Sequence, residues 1–177
     1  MVQRYEVVAA RAVTLVSAYE TRVRQATVHS VERGLDPRTR AFLEERGVAC
    51  WRAPSADLLS FAPPADRLIE VKGRGGSGPV KVIERQLDTM ALAPELVWLY
   101  VVFGLTQPMA TELYMIRDPA ALPWTQTRAA TRPPTMARGV RHMAQFEVWI
   151  DLQDPRVEKA DLSLLHDLGG WVGPHSD

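Results

Sequence analysis

The chain has 177 residues, 46% of them apolar, and its 21 basic and 21 acidic side chains leave zero formal net charge. That length sets one domain, or one with short extensions, and that composition supports a core, argues against a mainly disordered state and gives no global sign of a nucleic-acid partner. Cys50 is the sole cysteine, which excludes an internal disulfide and a Cys-rich zinc site and fits a reducing, cytoplasmic setting.

Charge is unevenly spread. Between Ala121 and Gln145 there are four arginines, Arg128, Arg132, Arg138 and Arg141, and no acid; from Phe146 to Asp177 acids dominate, against Arg156 and Lys159 alone. A basic segment is therefore followed by an acidic tail. Arg4 and Glu6 lie among the first apolar residues and no long apolar run follows them. Neither a secretion signal nor a membrane span is expected.

Val8, Ala12, Leu15, Val16, Tyr19 and Val23 recur at helical spacing and predict an amphipathic helix from about Val7 to Ala26. Glu20 falls on the edge of that apolar stripe. A carboxylate there is placed to look inward, although acids at helix edges are mostly solvated. Ala26–Val31 reads as a short strand, and Arg38–Arg46 as a short helix capped by Gly47. Ala56–Phe61 reads as a strand. Pro63-Pro64-Ala65-Asp66 is a turn, after which Arg67–Gly73 returns as the antiparallel partner. This hairpin brings Asp57 across from Glu70 and Lys72; the ordinary role for such an Asp is a bond to local backbone amides.

Glu70 and Lys72 stand on one face of the returning strand, Ile69 and Val71 on the other. Charges at the end of a buried-looking strand are costly unless paired or bound to a metal. The pair reads as half of a metal-dependent phosphodiesterase site. Lysine is scarce: the others are Lys81 and Lys159, and neither has an acid two residues before it.

The glycine-rich loop Gly73–Gly78 lacks the Gly-Lys-Ser/Thr ending of a phosphate-binding P-loop, yet its backbone can approach a phosphate closely. After a short strand at Pro79–Val82, Ile83–Ala93 reads as a helix with Gln86 in its first turn, able to point back to the strand ends. Val97–Phe103 is the most apolar segment and predicts a central strand buried on both faces. Glu112–Ile116 is another strand. Leu122–Ala144, rich in Pro and Arg, reads as a long loop. Phe146–Ile150 suggests an edge-like last strand and Val157–Leu168 a helix with exposed acids. His29 and His166 have no partner at metal-ligand spacing.

The order of helix with Glu20, strand with Asp57, Glu70-Val71-Lys72, helix with Gln86 and central strand resembles the PD-(D/E)XK nuclease superfamily. Ala56-Asp-Leu-Leu-Ser60, Arg67–Arg74, Gly78-Pro-Val80, Trp98–Phe103 and Ile116-Arg-Asp-Pro-Ala120 are similar to the C-terminal domain family of the plant protein No Vein, and Tyr19-Glu20 matches the acidic position of that family's first helix. Bacterial and archaeal relatives are often fused to Snf2-type helicases or sit in defence loci. The likeness runs from about Val7 to Phe146. The chain departs from it in three places. Ser55 and Ala56 replace the Gly and aromatic before the strand Asp. Arg85-Gln86 stands where an Asn-Glu pair is usual. An insertion-like stretch at Leu35–Trp51 makes Asp36 a rival to Asp57 as metal aspartate.

The resemblance implies an α/β fold with a restriction-endonuclease-like mixed sheet flanked by helices. The N-terminal helix and central β-hairpin carry the site. It implies a nuclease-like domain over 1–150, with 151–177 an acidic helix and tail. It also implies an Mg²⁺-dependent (or Mn²⁺-dependent) endonuclease-like hydrolase cutting nucleic acid, DNA foremost, in defence or DNA processing. Asp57, Glu70 and the carbonyl of Val71 would hold the ion. Lys72 would orient the attacking water or stabilise charge on the phosphorane, Glu20 would be an outer-sphere or second-metal ligand, and Gln86 would position water or a phosphate oxygen. Arg74, Arg128, Arg132, Arg138 and Arg141 would neutralise backbone phosphates. Two alternatives stand beside this reading. One is a non-catalytic module of the same fold that holds nucleic acid or a partner, accessory to a helicase. The other is a dimerisation domain with Trp149 and Trp171 at its interface.

Overall fold

A computed structural model describes residues 2–31, 35, 37–48, 55–106, 110–127 and 144–167. Helix α1, Val2–Arg22, begins earlier than the apolar spacing predicts. It ends where Gln25 takes a left-handed φ of 57° and the Ala26 N–H donates to the Glu20 carbonyl at 2.9 Å. Ala12, Leu15, Val16 and Tyr19, the inner stripe, are all buried. Strand β1 is Thr27–Ser30, and helix α2, Pro37–Glu45, stops at Gly47 (φ 76°), as the sequence predicts.

The hairpin follows as strands β2, Leu58–Phe61, and β3, Arg67–Gly73, paired antiparallel with Leu58 opposite Ile69. Strand β4, Val80–Ile83, and helix α3, Glu84–Leu92, form the crossover to β5, Val97–Phe103. Strands β3 and β5 are parallel, a pairing that requires such a connection. Strand β6 is Glu112–Arg117, β7 Thr125–Thr127, β8 Gln145–Val148 and β9 Val157–Lys159; a short helix, α4, covers Ser163–Asp167. The main sheet has the order β1-β2-β3-β5-β6-β9, and β4-β8-β7 make a second, three-stranded sheet. The architecture is mixed α/β.

Alternation along β3 and β5 sorts the core into two layers. Ile69, Val71, Tyr100 and Val102 face α1 and pack on Leu15, Val16 and Tyr19. Leu68, Leu99 and Val101 face the other way, onto Val80, Val82, Met90 and Val148 from β4, α3 and β8. Strand β5 is thus buried on both faces, as its composition predicts. Burying a side chain of this size is worth about 1.5–3 kcal/mol, so these two layers supply much of the driving force.

Three expectations are corrected. Strand β8 is the middle of the small sheet rather than an edge of the main one. The stretch expected as a loop over 122–144 contains β7. The segment expected as a helix from Val157 begins instead as β9, which pairs with β6. Main-sheet pairing and the buried Leu165 also tie residues after 150 into the same body. No helix among the described residues is long and apolar enough to cross a membrane.

Candidate active site

The face of β3 that looks toward α3 carries Leu68, Glu70 and Lys72. Leu68 is sealed in the core, and Glu70 is 3% exposed. One residue pair further along the strand, Lys72 retains 21% exposure and turns its ammonium back to Glu70, with Nζ 2.7 Å from Oε1. Gln86, in the first turn of α3, closes the group. Its Oε1 accepts from Lys72 Nζ at 3.0 Å and from the Ile83 backbone N–H at 3.0 Å, and its Nε2 donates to Glu70 Oε1. The bond to Ile83 satisfies an amide at the helix start and so fixes which end of the amide faces which partner.

Asp57 enters from the other side of the hairpin. Extending the register by one pair sets it opposite Glu70. Its N–H donates to the Ile69 carbonyl at 2.9 Å, and its Oδ2 accepts from the Val71 N–H at 2.6 Å. Both the local-backbone role and the approach to Glu70 expected from sequence are therefore present in one residue. Along β3 the Leu68 and Arg74 amides bond to the β5 side, so alternation turns the Val71 amide and carbonyl toward Asp57, beyond the start of β2.

Burial pushes the Glu70 carboxyl up to about 7; the Lys72 ammonium opposes that rise and the Asp57 carboxylate adds to it. A second carboxylate beside a buried one is a repulsion that a divalent cation would relieve. Two carboxylates and a main-chain carbonyl are hard oxygen donors suited to Mg²⁺ or Mn²⁺. The residues present therefore fit such an ion. Among the described residues no cluster of three or more His, Cys, Asp or Glu side chains forms a fuller ligand set.

Glu20 is not part of this group. It is fully buried, but beneath α1 on the opposite face of the sheet. There it accepts from Ser60 Oγ, Tyr100 OH and Arg24 Nη1, each at 2.5 Å, and lies 3.7 Å from Arg67 Nη1. Arg67 donates to Tyr100 OH and stacks its guanidinium over the Trp98 ring at 3.8 Å. Burial and the neighbouring Glu20 carboxylate push the Tyr100 hydroxyl far above its ordinary range, so it stays a donor. The sheet therefore separates Glu20 from Glu70, and the ligand role expected for it is replaced by a buried ion-pair network. Sequence reading missed Ser60, Arg67 and Tyr100 as its partners. The one signal was a tyrosine in the middle of the most apolar strand.

Arg74 leaves β3 directly after Gly73 and lays its guanidinium across Gly78, where a Cβ would meet Nη2 at 2.6 Å. Gly78, at φ 140°, closes the loop under it. Arg128, Arg132, Arg138 and Arg141, and the rival Asp36, lie outside the described residues, as do Cys50 and Trp171. Comparison of the chain with protein-family models, with curated proteins and with solved structures finds no match.

Proposed function

We propose that the chain is a metal-dependent nuclease of restriction-endonuclease-like fold, hydrolysing phosphodiester bonds of nucleic acid, with DNA as the first candidate substrate. The observation that carries this reading is the convergence of Asp57, just before β2, with Glu70 and Lys72 of β3 and Gln86 of α3 on the second half of β3. The order of α1, hairpin, crossover helix and central strand, with α1 and α3 on opposite faces of the sheet, supports the fold assignment.

Asp57, Glu70 and the Val71 carbonyl would hold Mg²⁺ or Mn²⁺, which when bound polarises the phosphate and lowers the pKa of a coordinated water. Lys72, partly exposed and aimed by Glu70 and Gln86, orients the incoming water and offsets charge developing on phosphorus. Gln86 holds both partners through one amide, keeping the ammonium and the carboxylate in register. Arg74 at the loop neutralises an adjacent backbone phosphate, a sequence-independent contribution that weakens with salt. A helicase or defence complex is the partner proposed for such a module, and a homodimer the assembly that would cut two strands.

The second reading is a non-catalytic module of the same fold that holds nucleic acid or a partner. What favours it is that Glu20 faces away, so the described residues contribute two carboxylates rather than three. Incubation with plasmid and single-stranded DNA in Mg²⁺ or Mn²⁺ separates the two. Cutting that disappears in both Lys72→Ala and Asp57→Ala supports the nuclease. Salt-sensitive binding without cutting, unchanged by Lys72→Ala, supports the module.

A further inference from the structure

A cleft of about 310 Å³ opens on the same sheet face as Glu70 and Lys72, and the glycine loop that follows Lys72 forms one of its walls. Its other walls are Phe103 and Gly104 at the end of β5, Glu112 and Tyr114 of β6, and Trp149 and Leu152 after β8. Trp149 is 69% exposed and Leu152 50%, two of the few large apolar side chains left open to solvent among the described residues, and both line this one cleft. Water is a poor neighbour for such a pair, so an occupant with an apolar face is favoured.

The polar side of the cleft is organised. Glu112 Oε1 accepts from Lys159 Nζ at 2.6 Å, and Glu112 Oε2 accepts from Tyr114 OH at 3.1 Å. The Lys159 hydrogen bond holds the Glu112 carboxyl below its ordinary range, so it remains an ionised acceptor. Gly104, at φ 71°, has no room for a side chain: a Cβ would stand 2.2 Å from the Ala110 carbonyl. The volume lies at the small end of ligand sites, which run to about 300–1,000 Å³, and suits one heterocycle better than a peptide.

We propose that this cleft takes an unpaired nucleobase of the substrate strand, stacked on Trp149, with the Glu112 carboxylate accepting from the exocyclic amino group of an amino-bearing base such as cytosine or adenine. The inference rests on the nuclease reading for the strand's path: Lys72 pairs with Val101 and Val101 with Tyr114, so the Tyr114 wall stands two strand spacings, about 10 Å, from Lys72, and a strand whose phosphate lies at Lys72 has a base within reach of the cleft. Every base has a π-face, and stacking on an aromatic side chain carries single-strand affinity with little sequence demand. The carboxylate adds a preference that stacking alone lacks. Cytosine, adenine and guanine each carry an exocyclic amino donor; thymine carries none, so dT is the strand the carboxylate discriminates against.

The test measures binding of short fluorescein-labelled single strands without divalent metal, so that nothing is cut. Oligo-dC, oligo-dA, oligo-dT and an abasic strand with the same phosphates are compared. The intact chain is expected to bind dC and dA best and the abasic strand worst. Trp149→Ala is expected to lose about fivefold or more in affinity for base-bearing strands and to bind them like the abasic one. Glu112→Gln, whose amide nitrogen can donate to a thymine carbonyl, is expected to shift preference toward dT. Thermal melts check that both variants fold. Equal binding of abasic and ordinary strands, unchanged affinity in Trp149→Ala, or no single-strand binding overturns the proposal. Failure of the nuclease reading looks different: no metal-dependent cutting, with Trp149-dependent binding intact. Cutting that persists while Trp149→Ala binds normally removes only the cleft.

Discussion

Lys72 meets the Glu70 carboxylate at 2.7 Å along one row of β3 side chains, and of the two Lys72 is the one open to solvent, 21% exposed against 3%. The ammonium is therefore the cation that holds Glu70 in the absence of any other. In Lys72→Met, studied well above pH 7 so that Glu70 is ionised, Glu70 and Asp57 are left facing one another without it. Ligand binding stabilises the folded state by RT ln(1 + L/Kd), with L the free ligand concentration, so tighter binding gives a larger shift, and the repulsion makes a divalent ion a stronger stabiliser of the variant than of the parent chain. The melting temperature is expected to rise further with Mg²⁺ in Lys72→Met than in the parent, while cutting is lost. Asp57→Asn is expected to abolish the rise. Equal Mg²⁺ shifts in all three chains would place the ion elsewhere.

Glu70 makes stability depend on pH in a direction opposite to that of most carboxylates. Burial lifts its folded value from 4.5 to about 7, so the folded chain holds this proton more tightly than the unfolded one. The stabilisation is complete below about pH 4.5 and is lost as pH rises to about 7. At roughly 1.4 kcal/mol per unit this amounts to about 3 kcal/mol for the metal-free chain. Glu70→Gln has no such proton to lose. Denaturant melts in chelator at pH 5 and pH 7.5 are expected to show the parent losing ground to the variant at the higher pH. A difference that does not change with pH would mean that Glu70 titrates normally.

Much of this site was legible because its parts are local or one hairpin apart. The two-residue spacing of Glu70 and Lys72 sets them on one face, the turn at Pro63–Asp66 brings Asp57 back to them, and a first-turn Gln86 is able to point back toward the strand ends. The destination of Glu20 was not legible. Its edge position announced an inward carboxylate, but its partners Ser60 and Tyr100 lie 40 and 80 residues further along the chain, and only the stacking of sheet and helix says which face they share. Strand β9 was hidden for a similar reason. Val157-Glu-Lys159 has too few residues to show a period of two, and its strand state comes from the hydrogen bonds of β6. The small sheet likewise joins β4 to β8 across more than sixty intervening positions.

The Glu20 network predicts a structural role that separates from catalysis. Glu20→Gln leaves the shape of the side chain but removes the charge facing Arg24 and Arg67, each 13% exposed. Arg67 Nε is already buried with no hydrogen-bond partner among the described residues, so the guanidinium depends on Glu20 and Tyr100 for its compensation. Breaking a buried pair on one side costs about 3–5 kcal/mol, and the expected fall in melting temperature is about 10 °C. Activity per folded molecule and its metal dependence are expected to match the parent. A variant that melts normally but has lost metal-dependent cutting would return Glu20 to the metal site.

Gly73 links the two faces, and its replacement tests how far helix packing governs the lysine beside it. A Cβ at this position would stand 2.8 Å from both the Ala12 Cβ and the Val8 carbonyl oxygen, and 2.9 Å from Leu105 Cδ1. Two of these three belong to α1, and one is backbone, so no rotamer change relieves the contact. The helix must lift from the end of β3, or β3 must shift away from it. Overpacking of this kind costs about 1–3 kcal/mol. The strand shift also moves Lys72, one residue away, relative to Gln86, which is anchored to Ile83 rather than to α1. Gly73→Ala is therefore expected to lower both the denaturation midpoint and the cutting rate. Ala12→Gly in the same chain opens the helix side of the contact and is expected to restore part of the rate without restoring the full stability, because glycine inside a helix costs about 1 kcal/mol of its own. If the double variant cuts no better than Gly73→Ala alone, the Ala12 contact does not govern Lys72, and the Val8 carbonyl and Leu105 contacts that Ala12→Gly leaves in place do.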